Sequence, residues 1–173
     1  MAAALVLTCL CGAQEGGQLK TKTHAPVKVS TAPVTRAEAS ATFKHLAKVF
    51  GEVLHVSVTG MAAGPSPAKA VTRTEVISEL AEFYRKLEPA FKMTMKDVTV
   101  SPSSLVVDRS SSKKDLVMLV TKGCVGAHTV LAVGSVRTLT VRDFGDVIGF
   151  FASRVIEMTH TPSTKWTPYL RRN

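Results

Sequence analysis

Cys124 and His128 stand four residues apart, and Asp97 or Asp108 supplies the acid that would complete a nucleophilic triad, in which a base activates the thiol and a third group orients the base. A Cys four residues from a His across a turn is common by chance. The plainer reading is a small semi-buried thiol and an imidazole at a strand edge. Cys9-Leu10-Cys11 offers two metal ligands, with no His or acid close by, where structural zinc takes four. Glu75, Glu79 and Glu82 recur at i, i+4 and i+7 with Arg85 and Lys86 just beyond, the pattern of a solvated charged face rather than of a paired general acid and base. His45 and His55 read as surface or boundary imidazoles. Residues 60–69 contain Gly64 and Lys69 but not the G-x-x-x-x-G-K-S/T order that aims backbone amides at a phosphate. No catalytic residue, metal ligand set, cofactor or small-molecule substrate is assigned on these grounds, and a small enzyme without a recognisable motif is kept only as an alternative.

Charge is more informative than any of these groups. The 173 residues carry 22 Lys and Arg against 13 Asp and Glu, a formal +9 that favours a polyanionic partner. Residues 1–34 contribute +2 and residues 35–90 only +1, whereas residues 91–173 hold twelve basic against six acidic side chains. The C-terminal half therefore carries the field. Within it Lys113, Lys114, Lys122 and Arg137 are candidate nucleic-acid contacts, as are Lys165, Trp166, Tyr169, Arg171 and Arg172 in a final stretch that contains no acid and the only Trp. Pro162 and Pro168 argue against a helix there, so residues 159–173 are expected to be an extended tail whose cations meet phosphates and whose rings stack on bases. The competing reading folds Trp166 and Tyr169 back onto the domain or a protein partner.

These groups must be positioned by a chain of 45% apolar residues, enough for one domain with tails. Three cysteines close no disulfide framework, and no apolar run approaches the ~20 residues of a membrane-spanning helix. Thr35-Arg36-Ala37-Glu38, Thr72-Arg73-Thr74-Glu75 and, more loosely, Thr140-Val141-Arg142-Asp143 place a hydroxyl three residues before a carboxylate, the capping spacing that starts a helix. Apolar residues follow at helical intervals: Ala39, Phe43, Leu46, Ala47 and Phe50 until Gly51; Val76, Ile77, Leu80, Tyr84 and Leu87 until Pro89; and Phe144, Val147, Ile148, Phe151 and Val155. The echo between residues 34–38 and 71–75 is accounted for by shared capping chemistry, without duplication.

Between the helices the pattern predicts strands. Residues 53–59 alternate, and Met93, Met95, Val98 and Val100 continue that pattern. Residues 105–107 suggest a short strand. Residues 116–120 are continuously apolar, as in a strand covered on both faces, and Lys122-Gly123-Cys124-Val125-Gly126 would turn a hairpin into a strand over 129–141 bent at Gly134. Gly60 to Pro67 and the Ser110-Ser111-Ser112-Lys113-Lys114 region read as exposed connections. The expected class is α+β: a two-layer, mainly antiparallel sheet of four to five strands with three amphipathic helices, a domain over 35–158, an extended segment over 1–34 and the tail over 159–173.

Two stretches resemble known families. Val27-Lys28-Val29, the first helix and Phe50-Gly51-Glu52-Val53-Leu54-His55-Val56-Ser57-Val58 resemble the first half of an RNA-recognition motif, although the second capping box stands where that family's glycine- and aromatic-rich third strand belongs. Its base-stacking residues are therefore not carried over. Residues 72–158, including Leu116-Val117-Met118-Leu119-Val120-Thr121-Lys122-Gly123, are similar in element order to the Alu-RNA-binding subunits of the signal recognition particle, which implies a helix, three strands and a helix.

The resulting expectation is a non-catalytic RNA-binding or ribonucleoprotein component, such as an accessory ribosomal protein contacting ribosomal RNA and neighbouring proteins. The alternative from another class is an accessory subunit docking into a large assembly through its two extensions. Residues 1–13 have the length and small-residue exit of a secretory leader but no preceding basic residue, so secretion is not expected. The hydroxyl-rich segment 16–37, with Lys20, Lys22, Lys28 and Arg36 and no acid, is compatible with organelle transit. A mitochondrial or cytoplasmic location follows as the expectation.

Overall fold

Three threonines start the three longest helices of the described residues. In the computed structural model, which describes residues 31–93, 97–101, 104–105, 110–134 and 136–170, Thr35 caps α1 (Arg36–Leu54), Thr72 caps α2 (Arg73–Leu87) and Thr140 caps the later helix Val141–Thr159. Thr35 and Thr72 form complete capping boxes with Glu38 and Glu75. Thr140 accepts from the Asp143 amide at 3.1 Å and donates its hydroxyl to the Asp143 carboxylate at 2.7 Å. The shorter Asp is not seen to bond back to the backbone of its cap, which is the return arm that Glu supplies at the other two.

The chain entering each helix joins the other two. Pro33 bridges Thr140, Ala70 bridges Thr35 and Thr138 bridges Thr72, so every segment pairs with both of its neighbours. The first helical amide in each case donates to a carbonyl three residues before the next cap: Arg36 to Lys69 at 2.8 Å, Arg73 to Arg137 and Val141 to Ala32 at 2.9 Å. These amides have no partner inside their own helices, so the ring of segments satisfies them. Val34, Val71 and Leu139, each one residue before a cap, are buried at its centre. Cyclic closure also explains why the described residues form no sheet: each segment offers only a few extended residues before turning into helix.

The expected α+β class is thus overturned. Among the described residues helix dominates, with no strand ladder and only the three isolated bridges. Residues 116–120 lie in α3 (Ser110–Thr121), and Leu116, Leu119 and Val120 are its buried face at i, i+3 and i+4. A short apolar run cannot by itself distinguish a covered strand from a buried helix face. The serine run read as an exposed connection is the first turn of α3. The anticipated hairpin turn is the helix's C-terminal cap: Gly123 adopts φ 67°, its amide donates to Val120 and the Cys124 amide to Leu119 at 2.8 Å, a Schellman motif. In place of the strand expected over 129–141, residues 130–133 form a single turn, α4 (Val130–Val133), and residues 136–140 enter α5 (Val141–Thr159). The segment 97–100 is irregular, Val98 donating to the last carbonyl of α3 at 2.8 Å. Of the short strand expected over 105–107, only Leu105 is within the described residues, where it is buried. Residues 27–29, which carried part of one family resemblance, lie outside them.

Gly51 does not stop α1, which continues to Leu54 and ends at His55 in the left-handed conformation. Beyond it, Val56 and Val58 are half-buried while His55, Ser57 and Thr59 are exposed. The alternation is that of extended chain, but the segment lies on the helices without a strand beside it. The core is helix on helix, with Phe43 of α1 meeting Phe83 of α2 at 5.5 Å and Phe144 of α5 at 5.9 Å between ring centroids.

The loop after α1 is fastened at Met61. Ser40 donates its hydroxyl to the Met61 carbonyl at 2.6 Å, and the Met61 amide bonds the Glu79 carboxylate. Burial, reinforced by the charge of Glu82, pushes Glu79 up from 4.5 to about 7 despite that amide. Between those values the folded chain holds a proton that the unfolded chain has released, so stability falls as pH rises from 4.5 to 7 and is level above. Discounted for solvent screening at this half-buried site, the loss is about 1–2 kcal/mol. Glu79→Gln keeps an acceptor for Met61 and removes the charge. Urea denaturation should find it more stable than the parent by that amount at pH 8 and equal to it at pH 4; equal stability at both would refute the assignment.

Candidate nucleic-acid interface

The seam between α2 and α3 collects cations. Leu80, Leu87, Leu116 and Leu119 are buried in the core, leaving the polar faces of both helices on one side. Arg85 of α2 pairs with Asp115 of α3. Exposed Lys86 adjoins the first partner, while half-buried Lys113 and exposed Lys114 adjoin the second. At the far end of α3 the Schellman cap sets Lys122, whose Nζ lies 3.1 and 3.4 Å from the Asp97 carboxylate oxygens.

Next to this seam is a cleft of about 530 Å³. A 3₁₀ turn, Glu88–Ala90 with Pro89 in its first turn, redirects the chain after α2. The Lys92 and Met93 amides then both donate to the Met158 carbonyl, at 2.9 and 3.2 Å, capping the C-terminal end of α5 and holding the Lys92 cation near the negative pole of that helix. Tyr84, Phe91, Met93 and Met158 supply the apolar lining; Glu88, Lys92 and Lys122 supply the charge. The Tyr84 and Phe91 rings are 5.4 Å apart, tilted by 58°. Tyr84 donates to Glu88 at 3.4 Å, and burial together with the Glu88 charge pushes its phenol up to about 12. It is a hydrogen-bond donor throughout the neutral range. His160 Nε2 lies 2.8 Å from Met93 Sδ and orients that thioether.

Of the candidates read from sequence, Lys122 lines the cleft, while Lys113 and Lys114 lie in the first half of α3 beside Asp115. Arg137 is exposed, away from these contacts, in the entry segment of α5, where its carbonyl accepts from Arg73. Lys165 is exposed on α6 (Ser163–Leu170). The extended tail is not found over these residues: despite Pro168 they form a helix, with Trp166 only 3% exposed and edge-on to Phe50 of α1 at 5.9 Å. Its indole N–H donates to Thr161 at 3.3 Å, and the Tyr169 hydroxyl donates to Glu52 at 2.7 Å. The Trp166 ring is thus packed inside, whereas Tyr169 is half-buried with its hydroxyl tied to Glu52. Arg171 and Arg172 lie outside the described residues. Lys86 and Lys92 were missed because one belonged to a face read as merely solvated and the other stood just before the residues expected to form a strand. A lysine following a helix-ending proline was the available signal.

The catalytic alternatives have little geometry behind them. Burial, opposed by the Arg154 charge, pushes the Cys124 thiol up to about 12, and its sulfur contacts the Lys122 carbonyl at 3.8 Å. His128 is exposed and Asp97 is engaged by Lys122. Asp108, Cys9 and Cys11 lie outside the described residues. Glu75 serves the fold rather than chemistry. Burial opposes its ionisation, but the Thr72 amide and hydroxyl and the Arg36 guanidinium outweigh this and hold the carboxyl below its usual value. Among the described residues no three His, Cys, Asp or Glu side chains group as metal ligands, and no helix is long and apolar enough to cross a membrane. No protein-family model, curated protein or solved structure matches the chain.

Proposed function

We propose that the protein is a non-catalytic RNA-binding component of a ribonucleoprotein, with ribosomal RNA as the partner first to be tried, and that it grips the backbone through the α2–α3 seam. The observation that carries this reading is that Lys92 and Lys122 line one cleft beside the Arg85–Asp115 pair that joins α2 to α3, with Lys86, Lys113 and Lys114 following or preceding that pair in sequence. Since Trp166 is packed inside, the proposed grip is on phosphates and owes nothing to a stacking tail. Filter binding of single-stranded RNA across a salt series tests it. Each phosphate contact contributes about 0.7 to the slope of log affinity against log salt, so Lys86→Gln with Lys114→Gln should lower the slope by about 1.4. A flat dependence in the parent would sink the proposal.

A further inference from the structure

We infer that the cleft beside α2 holds one unstacked nucleotide of that RNA, its base against Phe91 and Met93 and its phosphate on Lys92 and Lys122. This rests on the RNA reading and goes beyond phosphate contact along the seam. At about 530 Å³ the cleft is within the size range of small-molecule sites and has room for a base, sugar and phosphate. Its walls divide by chemistry. Phe91 is half-buried and tilted against Tyr84, which leaves it supported from behind, and the half-buried Met93 thioether continues the apolar wall with polarizable sulfur, above the buried Met158. Bases splayed from a single strand are held by such aromatic faces.

The charged lining suits the rest of a nucleotide. Lys92 is exposed, and its backbone is pinned by the double contact with Met158. Lys122 is held by Asp97, an exposed carboxylate whose ion pair is weak enough for a phosphate to displace. Glu88 provides an acceptor oriented by the Tyr84 hydroxyl. A carboxylate there accepts from the exocyclic amino group of cytosine, adenine or guanine, whereas uracil's one donor, N3–H, is flanked by two carbonyl oxygens that repel the carboxylate. The site therefore prefers an amino-bearing base.

Methyl-labelled methionine spectra of the full chain, titrated at low salt with single-stranded octamers of cytidine and of uridine, test this. The Met93 and Met158 methyls should shift on binding while Met61, which does not line the cleft, stays in place. The cytidine octamer should bind at least about 3-fold more tightly, a preference that Glu88→Gln should remove. Phe91→Leu, which keeps an apolar side chain and removes the ring, should weaken binding about 5-fold or more. Asp97→Asn should strengthen it about 2- to 5-fold by freeing Lys122, a gain that misfolding cannot produce. RNA bound with both methyls unmoved, or with Phe91→Leu and Asp97→Asn unchanged from the parent, overturns the nucleotide pocket and leaves phosphate contact standing. An absence of RNA binding at low salt overturns both.

Discussion

Replacing Trp166 by alanine should cost about 3–5 kcal/mol of stability, the range for deleting a large buried aromatic side chain. The indole is buried against Phe50, itself almost wholly inaccessible, and its N–H is satisfied by Thr161. Removing it leaves a cavity between α1 and α6 and frees a helix too short to persist alone, since isolated helices below about 12 residues are marginal in water. Against the roughly 5–15 kcal/mol of an ordinary domain this is a large fraction. Urea denaturation followed by circular dichroism measures it. Tyr169→Phe is the control: it removes only an exposed hydrogen bond to Glu52 and should leave the midpoint nearly unchanged. A Trp166→Ala variant as stable as the parent would mean that the indole does not clasp α6 to α1.

Gly60→Ala should cost roughly 1–3 kcal/mol, the overpacking range, even though the same exchange at an unconstrained site slightly stabilises a chain. A Cβ at position 60 would lie 2.5 Å from the Lys44 amide nitrogen and 2.6 Å from the Phe43 carbonyl carbon, both backbone atoms of α1 that cannot swing aside. The loop must lift, which strains the adjoining Met61 contacts to Ser40 and Glu79. Chemical denaturation gives the total loss. Hydrogen exchange separates its parts, with early exchange at Met61 and an unaltered centre of α1 expected. Protection at Met61 equal to the parent's would show that the glycine is not required for the close approach.

Parts of this architecture were legible in the residues. Thr35 with Glu38 and Thr72 with Glu75 announce helix starts because an N-terminal amide needs a partner within a few atoms, a requirement settled locally. The same holds for the apolar stripe through Phe43, Leu46, Ala47 and Phe50. The run from Leu116 to Val120 was not decidable, since its burial pattern fits either a covered strand or a helix. Lys122-Gly123-Cys124 serves a hairpin or a Schellman cap equally well, because both need a left-handed glycine. Val56 and Val58 announced extended chain without revealing that it had no neighbour to pair with. For the candidate site, Lys113, Lys114 and Lys122 were read from their place in the basic half of the chain. Lys86 and Lys92 became visible only when α2 and the chain after it met α3 and the end of α5.

Capping, periodicity and net charge depend on residues close together or merely counted. The three capped helices, their apolar faces and the concentration of positive charge in the second half could therefore be read from residue order alone. Packing in three dimensions set the rest. The ring in which the segments before Thr35, Thr72 and Thr140 satisfy one another's first helical amides joins residues 33, 64 and 109 positions apart. No local preference encodes such a closure: it follows from the need of every buried amide for a partner once three helices share one core. The helix at the C-terminus has the same origin. Pro168 disfavours it locally, yet burial of Trp166 against Phe50 is worth more than the single hydrogen bond that proline forfeits.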